Sequence, residues 1–295
     1  MKKFTGVIPA LVTPLNEDES INTGVLDQLI EHLINKGADG FYIGGATGEG
    51  IALKTEERMI LAEESIKAIN GRCPAIIQVA AADFGDAVAL ARHAEGCGAD
   101  AISATPPLFF QYDEDDVFNY YKRLADSVSI PLMAYYNPAT GFNFNANYAA
   151  RLFEVDNITA IKWTSPNYAE VVRLKDITHG EMNIINGPDQ MLLMGLSAGA
   201  DGGIGTTYNF IFDYIKGVYD SFIKGDVKSA LEYQKKTDRI IDVLHKYKTI
   251  PATKVILEKM GFAVGSCSFP MKRYTDEEKA KLVSEMAAAG VDFDA

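Results

Sequence analysis

Cysteine is scarce. Cys73, Cys97 and Cys267 are scattered over 295 positions with no CxxC pair. That excludes a disulfide framework and offers no zinc motif, so the thiols are expected to be buried or idle in a reducing compartment. Long apolar runs are also missing, and none reaches the roughly 18 residues of a membrane helix. A leader peptide is not expected. Lys2 and Lys3 precede an apolar run over residues 4–12, but Thr5, Gly6 and Pro9 interrupt it and no small-x-small cleavage site follows. Positive charge is the third shortage. Lys plus Arg number 28 against 40 Asp plus Glu, for a formal net charge of −12. Such a chain is a poor match for DNA, RNA or anionic lipid, although a local site can still be positive for a small anionic substrate. His32, His93, His179 and His245 lack metal-ligand spacing and read as structural or solvent-facing, so no metal is expected. These shortages together predict a cytoplasmic protein.

What the chain does have is alternation. Short, mostly apolar runs at residues 6–12, 40–44, 75–80, 101–104, 132–136, 158–162, 182–185 and 202–204 read as parallel strands covered on both faces. Amphipathic stretches lie between them, and Thr55-Glu56-Glu57 and Asp113-Glu114-Asp115 read as acidic helix starts that favour the positive end of the dipole. A Gly-Ala-Asp triplet recurs at residues 37–39, 98–100 and 199–201, each closing a helix and opening a strand. Its glycine suits the position just after a helix, where φ is positive. The steps of 61 and 101 residues approximate two and three βα modules. A common helix-to-strand turn of any parallel α/β protein explains the triplet equally. Eight βα units in about 225 residues favour an α/β fold of the (β/α)8 TIM barrel type over an open sheet. Helical patterns at residues 211–222, 227–246, 253–260 and 276–289 give the last barrel helix and additional C-terminal helices. The expected division is a barrel over 1–225 and a helical extension over 226–295 packed on it.

In such a barrel, chemistry sits at the C-terminal ends of the strands. Lys162 stands out there, because lysine is rarely buried and its strand is otherwise apolar. Desolvation disfavours an ammonium, and a free amine can attack a ketone to form a Schiff base. A strand-end lysine that reaches solvent or pairs with a carboxylate is the competing reading. Tyr136, at the end of the neighbouring strand, could shuttle protons as a phenol or could simply be packed. Tyr135 should point to the opposite face. Gly44-Gly45-Ala46-Thr47-Gly48 matches no nucleotide-binding motif. Its consecutive N–H groups beside a threonine hydroxyl could cradle a carboxylate, or it could be only a tight turn. The same holds for Gly202-Gly203-Ile204-Gly205 with Thr206.

Gly44-Gly45-Ala46-Thr47-Gly48-Glu49, Tyr136-Asn137-Pro138, Ile161-Lys162-Trp163-Thr164 and Ala200-Asp201-Gly202-Gly203-Ile204-Gly205, in that order, resemble the dihydrodipicolinate synthase / N-acetylneuraminate lyase superfamily. The resemblance covers nearly the whole chain, and residues 203–209 are most similar to the N-acetylneuraminate lyases. It implies a class I aldolase without metal or organic cofactor, a homotetramer built as a pair of dimers, and a small 2-keto acid as substrate. Lys162 would carry the Schiff base to pyruvate and Tyr136 would be the proton shuttle. Ala46, Thr47 and neighbouring amides would hold the carboxylate. Thr164, Gly187, Asp189, Gln190, Gly205 and Thr206 would face the sugar, and Phe110 would come from a neighbouring subunit. Ala46 replaces a usual second hydroxyl, Gln190 a usual glutamate, and Phe109-Phe110 a tyrosine. The loop at residues 137–141 is shorter than usual. The arginine that the synthases use for their second substrate is missing from it. The expected reaction is cleavage of N-acetylneuraminate, or a related 2-keto-3-deoxy sugar acid, to pyruvate and an aldose such as N-acetylmannosamine. The alternatives are an aldolase or dehydratase for a shorter 2-keto acid and a catalytically silent keto-acid binding protein.

Overall fold

The computed structural model describes residues 4–294; Lys2 and Lys3, on which the leader argument turns, lie outside them. Eight parallel strands form one sheet: β1 (Gly6–Pro9), β2 (Phe41–Ile43), β3 (Ala75–Gln78), β4 (Ala101–Ala104), β5 (Leu132–Tyr136), β6 (Ile158–Trp163), β7 (Asn183–Asn186) and β8 (Gly202–Gly205). Neighbours follow chain order from β2 to β8, and β8 pairs with β1. A parallel bridge from Ala10 to Tyr42, with the Leu11 N–H donating to the Tyr42 carbonyl at 2.9 Å, closes the circle. The strands are so short because each crosses only the barrel wall before turning into its helix.

The helices α1 (Thr23–Asn35), α2 (Thr55–Ile69), α3 (Phe84–Gly96), α4 (Glu114–Ala125), α5 (Ala146–Phe153), α6 (Tyr168–Ile177), α7 (Leu192–Ser197) and α8 (Phe212–Ile223) alternate with the strands. Three more follow: α9 (Val227–Leu244), α10 (Thr249–Lys259) and α11 (Asp276–Ala289). The acidic starts hold. Glu56 and Glu57 lie in the first turn of α2, and Asp113 forms a capping box with Asp116 on α4. α10 begins four residues before the expected 253, because Pro251 sits in its first turn, where a missing N–H costs nothing. Among the described residues no helix is long and apolar enough to cross a membrane.

The Gly-Ala-Asp triplet proves to be a structural repeat. Gly37, Gly98 and Gly199 have φ of 91°, 91° and 101°, each directly after a helix cap. The aspartates then reach back one strand. Asp39 accepts from the Val7 N–H at 2.8 Å, Asp100 from Ala75 at 2.9 Å and Asp201 from Ile184 at 2.8 Å. Each carboxylate satisfies a backbone donor at the bottom of the barrel that the staggered sheet leaves open.

Two apolar clusters divide the side chains. One lies between sheet and helices; the other fills the barrel and includes Ile8, Tyr42, Met133, Tyr135, Ala160 and Ile204. Alternation along each strand decides which cluster a side chain joins.

Candidate active site

Lys162 projects into the barrel from the end of β6 and is 6% exposed. Its Nζ lies 4.2 Å from the Tyr135 ring centroid and 4.8 Å from that of Tyr42. Two aromatic faces thus flank the Nζ in a place with little water. The Tyr42 hydroxyl is turned away, donating to Ser103 at 3.0 Å, and burial raises it well above the ordinary phenol range.

The expected partner, Tyr136, is on the wrong face. Its ring stacks on Phe144 at 5.0 Å and meets Trp163 edge-on at 4.6 Å, both between sheet and helices. Register gives the reason. Tyr135 pairs with Lys162 and Tyr136 with Trp163, and laterally paired residues of neighbouring strands point the same way. The phenol beside the lysine is therefore that of Tyr135. Burial works to raise its pKa. The charge of Lys162 and hydrogen bonding with Asn137, Thr164 and Lys162 outweigh burial, and the net shift is downward.

The glycine-rich turn after β2 presents Thr47, which is buried. Its hydroxyl shares a 2.7 Å hydrogen bond with that of Thr206, beyond β8. The N–H groups of Ala46 and Thr47 meet no protein acceptor among the described residues. Ala46 itself is exposed. The turn is fixed from behind. Glu49, in the left-handed region with φ 59°, is buried and pairs with Lys254 of α10 at 2.7 Å. Its other oxygen accepts from Ser268 N and Oγ at 2.7 and 2.8 Å. No sequence signal indicated this pair.

Of the residues expected to face the sugar, Thr164, Gly187, Asp189, Gln190 and Thr206 line one cleft of about 370 Å³. Glycines set its spacing. A Cβ on Gly187 would overlap the Thr164 hydroxyl, and one on Gly205 the Asp189 carboxylate. Asp189 accepts from Thr207 N at 2.8 Å and Oγ1 at 2.7 Å. Burial nevertheless raises its carboxyl above the ordinary value, against those bonds and the charge of Lys162. Ile241, Leu244, His245 and Thr249 complete the outer wall, so His245 lines the cleft as well as facing solvent. Phe110 does not approach it. With Phe109 (94% exposed, φ 79°) it stands out on the loop between β4 and α4.

A metal-like grouping exists only on the outer surface, among the described residues. There Glu63, His93 and Cys97 bring ligand atoms within 4.8 Å of one another. His93 of α3 and Cys97, which caps it, are four apart, a spacing the sequence contains. Burial, helped by Glu63, raises the Cys97 thiol and opposes the thiolate a metal needs.

The chain matches the model of the dihydrodipicolinate synthetase family over residues 3–289. It is 33% identical over 285 residues to an N-acetylneuraminate lyase of Rhizobium meliloti (strain 1021), covering 97% of this chain and 95% of that protein. It is 29% identical over 288 residues to a 4-hydroxy-tetrahydrodipicolinate synthase of Oceanobacillus iheyensis, covering 96% and 97%. Among solved structures, that of Proteus mirabilis N-acetylneuraminate lyase superposes with a TM-score of 0.94 at 32% identity, covering 99% of this chain and all of that one.

Proposed function

Because the chain belongs to the dihydrodipicolinate synthetase family, we propose that it is a Schiff-base lyase that cleaves N-acetylneuraminate or a related 2-keto-3-deoxy sugar acid. The observation that carries this reading is a buried lysine amine beside the Tyr135 phenol at the barrel mouth. The Lys162 amine adds to the C2 ketone, and loss of water leaves a protonated imine, an electron sink. Tyr135, as phenolate, takes the proton of the C4 hydroxyl. The C3–C4 bond breaks, its electron pair moves into the enamine of pyruvate, and the C4 oxygen becomes the aldehyde of the released aldose. Protonation at C3 and hydrolysis of the imine free pyruvate and restore the amine.

The free N–H groups of Ala46 and Thr47, with the Thr47–Thr206 hydroxyl pair, are suited to the keto-acid carboxylate. Thr164, Asp189 and Gln190 are suited to the hydroxyls beyond C4. No metal or organic cofactor is needed, because the imine supplies the electron sink. Exposed Phe109 and Phe110 support a loop that enters a neighbouring subunit of a homotetramer, and the three free cysteines suit a cytoplasmic setting.

The test is borohydride reduction in the presence of pyruvate, followed by peptide mass spectrometry. A pyruvyl adduct at Lys162, and its loss in Lys162→Ala, is the expected result. A protein that turns over sialic acid without any such adduct would refute the mechanism. A panel of keto acids, read by coupled pyruvate detection, then separates sialic acid from shorter substrates.

A further inference from the structure

One residue of the cleft's outer wall, His245, faces two cavities. His245 is shared with a second cavity of about 470 Å³, built entirely from the C-terminal extension. Four lysines, Lys246, Lys248, Lys272 and Lys281, line it against a single carboxylate, Glu278. Lys272 is paired with Glu278 at 2.7 Å, and Lys246 lies 3.7 Å from Glu285. Lys248 and Lys281 have no carboxylate partner among the described residues. The Tyr274 hydroxyl accepts from the Lys248 N–H at 2.9 Å and fixes that part of the backbone. On a chain of net charge −12, two unneutralised ammonium groups in a cavity that shares His245 with the cleft run against the general field. In the cleft itself Gln190 is neutral and exposed, and Asp189, buried and held by Thr207, is the one carboxylate of its lining among the described residues.

We infer that the cavity beyond His245 is an anion subsite, and that the preferred substrate is a 2-keto acid with a second negative group, phosphate or carboxylate, at the end remote from the ketone. The inference rests on the lyase reading above. The ketone end is fixed at Lys162, the hydroxylated middle runs past Thr164 and Asp189, and the distal group emerges past His245 toward Lys248 and Lys281. Attraction of this kind acts on binding before the chemical step, so it enters KM and leaves kcat alone.

The test uses pairs that differ only in a terminal phosphate: N-acetylneuraminate against its 9-phosphate, and 2-keto-3-deoxygluconate against its 6-phosphate. Two unneutralised ammonium groups facing a phosphate across water are expected to lower KM about three- to tenfold at low salt, fading toward parity at high ionic strength. The double variant Lys248→Glu/Lys281→Glu should abolish or reverse the preference. The same charge change at Lys67→Glu/Lys122→Glu, on α2 and α4, should preserve it. Equal KM values within both pairs at low salt, or a preference that survives the Lys248/Lys281 change, would overturn the subsite while the lyase reading stands. If no member of either pair yields pyruvate and borohydride places none on Lys162, the lyase reading fails and this inference falls with it.

Discussion

Replacing Tyr135 and Tyr136 separately by Phe tests the assignment of the proton shuttle. Both tyrosines are nearly buried, at 5% and 4% exposure, and adjacent in sequence, so only the direction of the side chain distinguishes them. Tyr135→Phe keeps the ring against the Lys162 amine, 4.2 Å from its centroid, and removes the oxygen proposed to accept the C4 proton. A positioned acid–base group contributes typically 10²- to 10⁴-fold. At 1.36 kcal/mol per tenfold, kcat should fall by the equivalent of about 3–5 kcal/mol. Tyr136→Phe keeps the stack on Phe144 and the contact with Trp163, and no hydrogen bond engages the lost hydroxyl among the described residues. Its kcat should stay within about twofold and its stability within about 0.5 kcal/mol, as for a substitution that touches no special feature. The assay is steady-state cleavage coupled to pyruvate detection, with borohydride trapping at Lys162 in parallel. Trapping should persist in Tyr135→Phe, since the amine still reaches the ketone. A hundredfold loss in Tyr136→Phe with Tyr135→Phe near wild type would refute the register argument and the mechanism built on it.

Three further outcomes are expected. Lys254→Met strands the buried Glu49 carboxylate and should cost about 3–5 kcal/mol, a fall of about 5–8 °C in Tm by calorimetry; Glu49→Gln/Lys254→Met should recover much of it. Gly205→Ala would displace the Asp189 carboxylate, raising KM for sugar acids about tenfold or more, the loss of about 1.4 kcal/mol of binding, while pyruvate is still trapped at Lys162. Asp189 has a raised pKa in the fold, so its stabilising contribution is full below the ordinary value of 3.8 and is lost as pH rises through the folded value. Asp189→Asn should therefore be more stable than wild type at pH 7 by thermal melt, with the difference shrinking below pH 3.8, and less active.

Lysine in an apolar strand is a signal because burial costs a cation so much; that argument singled out Lys162 but left open a strand-end lysine reaching solvent, and the structure leaves it 6% exposed. The Gly-Ala-Asp repeat was legible because a positive φ after a helix selects glycine. The face of the neighbouring tyrosine was not. Leu132, Met133 and Ala134 are all buried, as in any parallel strand covered on both sides, so the run has no polar side to set its phase. The phase comes from pairing with β6, which shifts register between Leu132 and Met133. That is a contact between distant residues, and one step in register exchanges the two faces. The Glu49–Lys254 pair was illegible for the same reason: its partners are far apart in sequence, and each alone reads as a surface charge.

The extension also bears on the site more directly than a layer packed against a finished barrel would. Lys254 on α10 and Ser268 beyond it hold Glu49 directly behind Thr47, at the turn suited to the carboxylate. Ile241, Leu244, His245 and Thr249 wall the cleft where the sugar end would lie. The strand ends and βα loops alone supply the amine, the phenol and the threonine pair. They neither neutralise the buried glutamate under the glycine-rich turn nor close the distal side. A barrel cut after α8 would therefore lose the position of Thr47 and the length selection of the cleft together. Differences in substrate among proteins of this fold can then arise in the last helices while the strand ends, and the chemistry on them, stay the same.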